Sequence, residues 1–214
     1  MKKVNNKKQI DAEINRVLLN DFDKIENFVV TRWKQMFIGA GVIIVLVAIA
    51  YGILLKKENN AAAARRAIAD ASTKEELSQV IERYKSYSEV DFARIKLARI
   101  CVEAKDFAKA GELYRAVALN TQSQDLKCRM LLDEAYMIEK AGDFDKACKA
   151  FVVIADNSMY AAGVRAEAYY SAGRLFLKAG KKDDAAKVFD KLNQLASDET
   201  AAVWCNLGKA LQAK

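Results

Sequence analysis

The chain has 214 residues, a formal net charge of +7, no histidine and no proline. Without histidine it lacks the usual general base and a common zinc ligand, and without proline it lacks the strongest helix breaker. The excess charge is too evenly spread for a nucleic-acid-binding face, so we expect a helical protein with no metal, no other cofactor and no nucleic-acid partner.

Residues 1–35 form a polar N-terminal segment whose apolar side chains recur at helical spacing. Apolar residues three or four positions apart, with charges between them, predict an amphipathic helix. Such a helix can lie on a membrane surface, pair with another copy or dock on a partner, and the sequence leaves these alternatives open. The apolar positions are Ile10, Ile14, Val17, Leu18, Phe22, Ile25, Phe28 and Val29.

Residues 36–55 read MFIGAGVIIVLVAIAYGILL and contain no charge. A helix of this length extends about 30 Å, the thickness of the hydrocarbon core of a bilayer, and it satisfies its own backbone in lipid. A cleaved signal peptide is disfavoured because the apolar run exceeds the ~7–15 residues of a signal peptide. We therefore predict one transmembrane helix. Flanking residues typical of membrane interfaces are Arg32, Trp33, Lys34, Tyr51, Lys56 and Lys57.

Basic residues are more numerous before the span than after it. Residues 1–35 carry eight lysines and arginines, whereas the residues just after the span carry Lys56, Lys57, Arg65, Arg66 and Lys74. Positive residues favour the cytoplasmic side, and a long domain can translocate regardless of its charge. We predict a cytoplasmic N-terminal tail and a C-terminal domain on the other side of the membrane.

Residues 56–90 are predicted to form a helical linker and the helices that lead into the next domain. Ser72 followed by Glu75 indicates a capping box that opens a new helix. That helix places Leu77, Val80 and Ile81 on one face.

Residues 91–214 repeat themselves. Segments that begin at Lys105, Gly142 and Gly180 align at intervals of 37 and 38 residues. Each follows a helix with a small residue in register, and small residues allow helices to pack closely, for example Gly173 against Ala185. No helix pair of this kind buries its face alone, so the pairs are expected to stack. The aligned small residues are Ala98, Ala135, Gly173 and Gly208, then Ala110, Ala147 and Ala185; the aligned large ones are Tyr114, Phe151 and Phe189.

The repeat resembles the tetratricopeptide repeat (TPR), although it lacks the usual inter-repeat proline and its interval exceeds the ~34 residues of that family. The resemblance implies an all-α fold, a single transmembrane helix followed by a TPR-like solenoid of helical hairpins. The residues that carry it are Tyr169, Gly173, Phe176, Gly180, Ala185 and Phe189 in the third unit, and Trp204, Leu207 and Gly208 in the last helix.

Residues just after the small contact position face a concave groove in the TPR family, which takes peptides or partner proteins. The side chains expected there are Arg99, Tyr136, Arg174 and Lys209, with Tyr170 and Leu177 on the same side of their helix. Arginine and tyrosine are enriched at binding hot spots, so Arg99, Tyr136, Tyr170 and Arg174 are our candidate partner surface. The alternative is a solvated helix face whose side-chain stems pack down.

The order of a short tail, one membrane anchor, an alanine-rich helix and a small repeat domain resembles the ancillary SecYEG translocon subunit (YfgM-like) family. This resemblance implies a bacterial inner-membrane protein whose periplasmic repeat domain associates with the translocon and with periplasmic chaperones. The alternative is a structural scaffold that self-associates through its membrane and tail helices. No catalytic motif stands out, and we do not expect an enzyme.

Four cysteines occur, at positions 101, 128, 148 and 205. An even number permits two disulfides in an oxidising compartment. The favoured alternative is that Cys101, Cys128, Cys148 and Cys205 are small apolar residues in helix packing.

Overall fold

The structure, a computed structural model, describes the backbone of residues 2–213 and the side chains of residues 22–26 and 28–213. All regular secondary structure in these residues is helical, which confirms the all-α prediction. The helices are α1 (Lys2–Asp70), α2 (Lys74–Arg83), α3 (Val90–Glu103), α4 (Phe107–Asn120), α5 (Gln124–Lys140), α6 (Phe144–Asp156), α7 (Ala162–Lys178), α8 (Lys182–Asn193) and α9 (Ala202–Gln212).

Helix α1 contains the predicted membrane span. Its stretch Phe28–Asp70 is long and apolar enough to cross a membrane, with a mean hydropathy of 2.7 in its most apolar window and none of that window buried. Exposed apolar side chains suit a lipid environment rather than water. Of the predicted amphipathic stripe, Phe22, Ile25, Phe28 and Val29 are exposed. The side chains of Ile10, Ile14, Val17 and Leu18 lie outside the described residues.

The chain divides into two compact units, Met1–Asn59 and Asn60–Lys214. In the second unit each helix from α2 onward packs against the next one in the chain, and α7 also contacts α5 and α9. The candidate surface lies in this second unit.

Helix α2 begins one residue later than the sequence pattern indicated. Thr73, not Ser72, is the N-cap, and its Oγ1 accepts a hydrogen bond from the Glu76 backbone N–H at 3.2 Å. The Glu76 carboxylate in turn accepts from the backbone N–H of Thr73, so the capping box pairs Thr73 with Glu76. The predicted pairing of Ser72 with Glu75 is wrong, because Ser-x-x-Glu and Thr-x-x-Glu overlap in the sequence and both fit the motif.

Three turns share one geometry at the positions that the sequence alignment matched. Lys105, Gly142 and Gly180 each connect two helices with a positive φ, of 61°, 92° and 74°. The next residue in each turn donates its backbone N–H to the carbonyl five residues earlier, as in a Schellman motif. The repeated turn supports the register assigned from the sequence.

The core of the second unit consists of two clusters that meet at α5. One cluster is built around Leu77, Leu97 and Val117, and the other around Phe151 and Phe189. Two half-buried residues, Leu131 and Tyr136, pack against both clusters. Helix α5 therefore joins the two halves of the repeat region.

The closest helix contacts occur at glycines. A β-carbon added at Gly173 would lie 2.6 Å from Cζ of Phe189, so the Phe189 ring fills the space that the missing side chain leaves. A β-carbon at Gly208 would lie 2.8 Å from Cδ2 of Leu192 and 3.2 Å from Cδ1 of the same Phe189 ring. The ring that packs directly against Gly173 thus comes from Phe189, one helical turn beyond the Ala185 named from the sequence.

The C-terminal end of α1 is fixed by a lysine from α3. The ammonium group of Lys96 donates to the carbonyl oxygens of Ile68 at 3.2 Å, Ala69 at 3.4 Å and also Ala71. A positive charge at this position satisfies carbonyls that have no partner within the helix and interacts favourably with the helix dipole.

All four cysteines are buried free thiols. Burial is the largest influence on each of them and raises the pKa of every thiol, that of Cys148 to about 11. The Cys205 thiol donates to the carbonyl oxygen of Leu192 at 3.3 Å, within the contact between α8 and α9. These residues act as packing groups in the structure, as the favoured alternative stated.

Candidate functional site

Three of the four predicted surface residues come together, and one does not. Tyr136 on α5 and Arg174 on α7 both lie at the contact between these two helices, while Tyr170 on α7 packs towards α9. Arg99 is exposed on α3, and no hydrogen bond or ion pair among the described residues joins it to the other three. In each repeated helix pair, we call the helix before the turn the first helix and the helix after it the second helix, so that α5 and α7 are first helices. The surface formed by Tyr136, Tyr170, Arg174 and their contacts on α5, α7 and α9 is the first-helix face.

Both the hydroxyl group and the ring of Tyr136 contact neighbouring residues. Its hydroxyl donates to Oε1 of Glu167 at 3.0 Å and lies 2.9 Å from Oγ of Ser171, which is itself buried. Because the single phenolic proton goes to Glu167, the Ser171 hydroxyl is the donor of the second bond. The Tyr136 ring packs edge-on against Phe151, with 5.0 Å between the ring centroids.

The surroundings of Tyr136 disfavour its ionised form. The pKa of the Tyr136 hydroxyl is raised to about 12: burial is the largest cause, the charge of Glu167 and the hydrogen bond to it also raise the pKa, and the hydrogen bond with Ser171 lowers it. The phenol therefore stays protonated at physiological pH and remains a hydrogen-bond donor between α5 and α7.

Replacing Tyr136 with phenylalanine is expected to change how stability depends on pH. The native pKa of about 12 exceeds the ~10 of an unfolded tyrosine, so the neutral phenol stabilises the fold fully below about pH 10. That contribution is lost as the pH rises through about 12. Urea unfolding at about pH 8 and about pH 11 measures it, and the wild type should lose more stability over this interval than Tyr136→Phe. Equal losses of stability in the two proteins would contradict the raised pKa of Tyr136, since the other buried tyrosines are common to both proteins.

Ion pairs extend the contact between α5 and α7. Nη2 of Arg174 donates to Oε2 of Glu139 at 2.7 Å, and this hydrogen bond raises the pKa of the Arg174 guanidinium. Arg129 lies 3.0 Å from Asp133 on its own helix and 3.4 Å from Glu167 on α7. Arg174 and Tyr136 are thus already ordered by partners within the chain.

An aromatic pair joins α7 to α9. The rings of Tyr170 and Trp204 are tilted against each other, with 5.5 Å between their centroids, and both residues are half-buried. Each ring buries part of its surface against the neighbouring helix and leaves the rest exposed to solvent. Such amphipathic rings, fixed by their packing, are typical anchors of protein–protein contacts.

Four contributors to this face were missed by the sequence analysis, namely Glu139, Glu167, Ser171 and Trp204. The signal was present, because Arg174 lies 35 residues after Glu139 and Ser171 lies 35 residues after Tyr136, which is close to the repeat interval. Residues one interval apart on neighbouring first helices face each other. Pairing complementary side chains at that distance would have pointed to Glu139 and Ser171, whereas the Tyr136–Glu167 hydrogen bond spans only 31 residues.

Among the described residues, no group of three or more cysteines, aspartates and glutamates is placed to hold a metal ion. Every described buried side-chain nitrogen or oxygen atom has a hydrogen-bond partner. The chemistry of the first-helix face is therefore that of ordered aromatic, guanidinium and carboxylate groups, which suits recognition of another polypeptide.

No protein-family model matches the chain, and no curated protein or solved structure matches it. The likeness to the TPR and to the ancillary translocon subunits therefore remains a prediction, carried by the residues quoted for it.

Proposed function

We propose that this chain is a membrane-anchored protein-interaction module of the bacterial cell envelope. Residues 36–55 anchor it, residues 1–35 lie in the cytoplasm, and a TPR-like solenoid formed by the later helices lies in the periplasm. In this proposal it acts as an accessory subunit of the translocon or of the periplasmic chaperone network. The apolar span, the basic tail and the repeated helix pairs support it.

The observation that carries the proposal is the ordered first-helix face. The Tyr170–Trp204 ring pair lies beside the Arg174–Glu139 ion pair, and hydrogen bonds across α5 and α7 hold the neighbouring side chains in place. Binding to an ordered surface costs less conformational entropy than binding to freely rotating side chains, because the side chains are already held in place. The rings supply contact area, and the ion pair supplies directional donors and acceptors at its edge.

Replacing Tyr170 and Trp204 together with alanine is expected to lower the recovery of translocon or chaperone partners by about tenfold or more, as for the loss of a hot spot. The measurement is quantitative pull-down of the full-length protein from crosslinked membranes, beside circular dichroism of each variant. The matched control is Phe92→Ala, which removes an exposed aromatic ring from α3, away from this face.

Undiminished recovery of every partner by a folded Tyr170→Ala/Trp204→Ala protein would overturn the proposed surface. Recovery of further copies of this chain alone, from wild-type membranes, would instead favour the self-associating scaffold. The two outcomes differ in the proteins recovered, so a single experiment separates them.

Protease added to spheroplasts is expected to digest residues 60–214 and to leave the N-terminal tail intact, because the proposed topology exposes only that region outside the cytoplasm. Antibodies against each end of the chain follow the fragments. Protection of residues 60–214 in spheroplasts, with digestion in inverted vesicles, would reverse the topology.

A further inference from the structure

A second surface lies between the helices that follow the repeated turns. Helices α4 and α6 each pack against α5, and between them a groove of about 340 Å³ opens to solvent. We call it the α4–α6 groove. It is lined on α4 by Leu119, on α5 by Glu134 and Ile138, and on α6 by Lys146, Lys149 and Val153.

Two aliphatic side chains in the floor of this groove are largely exposed to solvent. Leu119 is 74% exposed and Val153 is 72% exposed, although both are large aliphatic side chains. The same two positions one repeat later are Asp156 and Lys191, which form an ion pair at 2.8 Å. An ion pair thus joins α6 to α8, whereas the equivalent positions on α4 and α6 carry two exposed aliphatic side chains.

The rim of the groove is positively charged. Lys146 and Lys149 have no carboxylate within 4.0 Å among the described residues. The one acidic lining residue, Glu134, is largely buried and already accepts a hydrogen bond from Arg115 at 3.3 Å. The groove therefore combines an exposed apolar floor with two lysines that form no salt bridge among the described residues, although the charge of Lys149 helps to lower the pKa of the nearby Asp145 carboxyl. Its charge is complementary to carboxylates.

We propose that the α4–α6 groove binds a short acidic, apolar segment of a partner protein. Aliphatic or aromatic side chains of that segment pack on Leu119, Ile138 and Val153, and its carboxylates pair with Lys146 and Lys149. Charge complementarity of this kind governs specificity and the association rate, while apolar contacts in a preformed groove supply affinity. This site is separate from the first-helix face, and it does not depend on the function proposed for that face.

A displayed library of short random peptides, selected on the full-length protein in nanodiscs of uncharged lipid, provides the probe. Enriched peptides are expected to carry aspartate or glutamate beside leucine, isoleucine or phenylalanine. One such peptide, fluorescently labelled, is then titrated by anisotropy. The Lys146→Glu/Lys149→Glu protein should bind it about tenfold or more weakly, and added salt should weaken its binding to the wild type. Val153→Asp should also weaken binding, because it places a carboxylate in the apolar floor.

The matched control is Lys182→Glu/Lys187→Glu, which reverses the same number of exposed charges on α8 and should leave binding unchanged. Tyr170→Ala/Trp204→Ala should also bind the peptide normally, so failure of the first-helix face and failure of this groove are distinguishable. A library that yields no acidic, apolar peptides would overturn the proposal. Equal binding by the wild type and by Lys146→Gln/Lys149→Gln, a milder variant that preserves side-chain size, would overturn it as well.

Discussion

Replacing Gly173 with leucine is expected to lower the free energy of unfolding by about 1–3 kcal/mol, the usual cost of overpacking a core. Even the first carbon of the new side chain would lie 2.6 Å from Cζ of Phe189, a ring that is 1% exposed. The Phe189 ring cannot easily move away, because α9 also packs against it: a β-carbon added at Gly208 would lie 3.2 Å from Cδ1 of the ring. The strain therefore has to be relieved by separating helices.

Urea unfolding of the full-length protein, in a Trp33→Phe background that leaves Trp204 as the only tryptophan, measures this loss. The matched control is Gly111→Ala, where the new β-carbon would be at an ordinary 3.4 Å from Cβ of Met137. That change should be neutral or stabilising, because alanine is the better helix former. Adding Phe189→Leu should restore part of the stability of Gly173→Leu, since contacting residues are energetically coupled. An unchanged midpoint for Gly173→Leu would contradict the close contact.

Replacing Lys96 with methionine is expected to destabilise the end of α1 by up to about 2 kcal/mol, as for other partly buried cations at helix C-termini. Methionine retains most of the apolar stem but removes the ammonium group that binds the carbonyl oxygens of Ile68, Ala69 and Ala71. Those carbonyls then depend on water alone, and the last turn of α1 should open more often.

Hydrogen exchange read by mass spectrometry should therefore show faster exchange in residues 60–71 of Lys96→Met, together with a lower unfolding midpoint. Lys85→Met provides the comparison, because it removes an exposed lysine whose ion pair with Glu82 is open to solvent. The Lys85 variant should exchange like the wild type in residues 60–71. If Lys96→Met did the same, the end of α1 would be fixed by its apolar packing rather than by this lysine.

The sequence determined the features that depend on local spacing. A continuous uncharged run predicts a helix able to cross a membrane, because only length and hydropathy matter for that property. The aligned segments also begin where the structure has its repeated turns, and Gly142 and Gly180 take there a positive φ that suits glycine. Lys105 takes the same conformation without being glycine, and only the alignment with the other two positions pointed to it.

The tertiary structure decided which side chains already have bonding partners within the chain. Sequence spacing placed Tyr136 and Arg174 on one side of their helices, but their bonds to Glu167, Ser171 and Glu139 depend on how α5 and α7 pack. Packing also decided that Leu119 and Val153 are exposed in a basic groove, because burial depends on which helices happen to cover a face. Helical periodicity is a property of one element, whereas contacts between elements are set by the relative position of helices about one repeat apart, which no local pattern encodes.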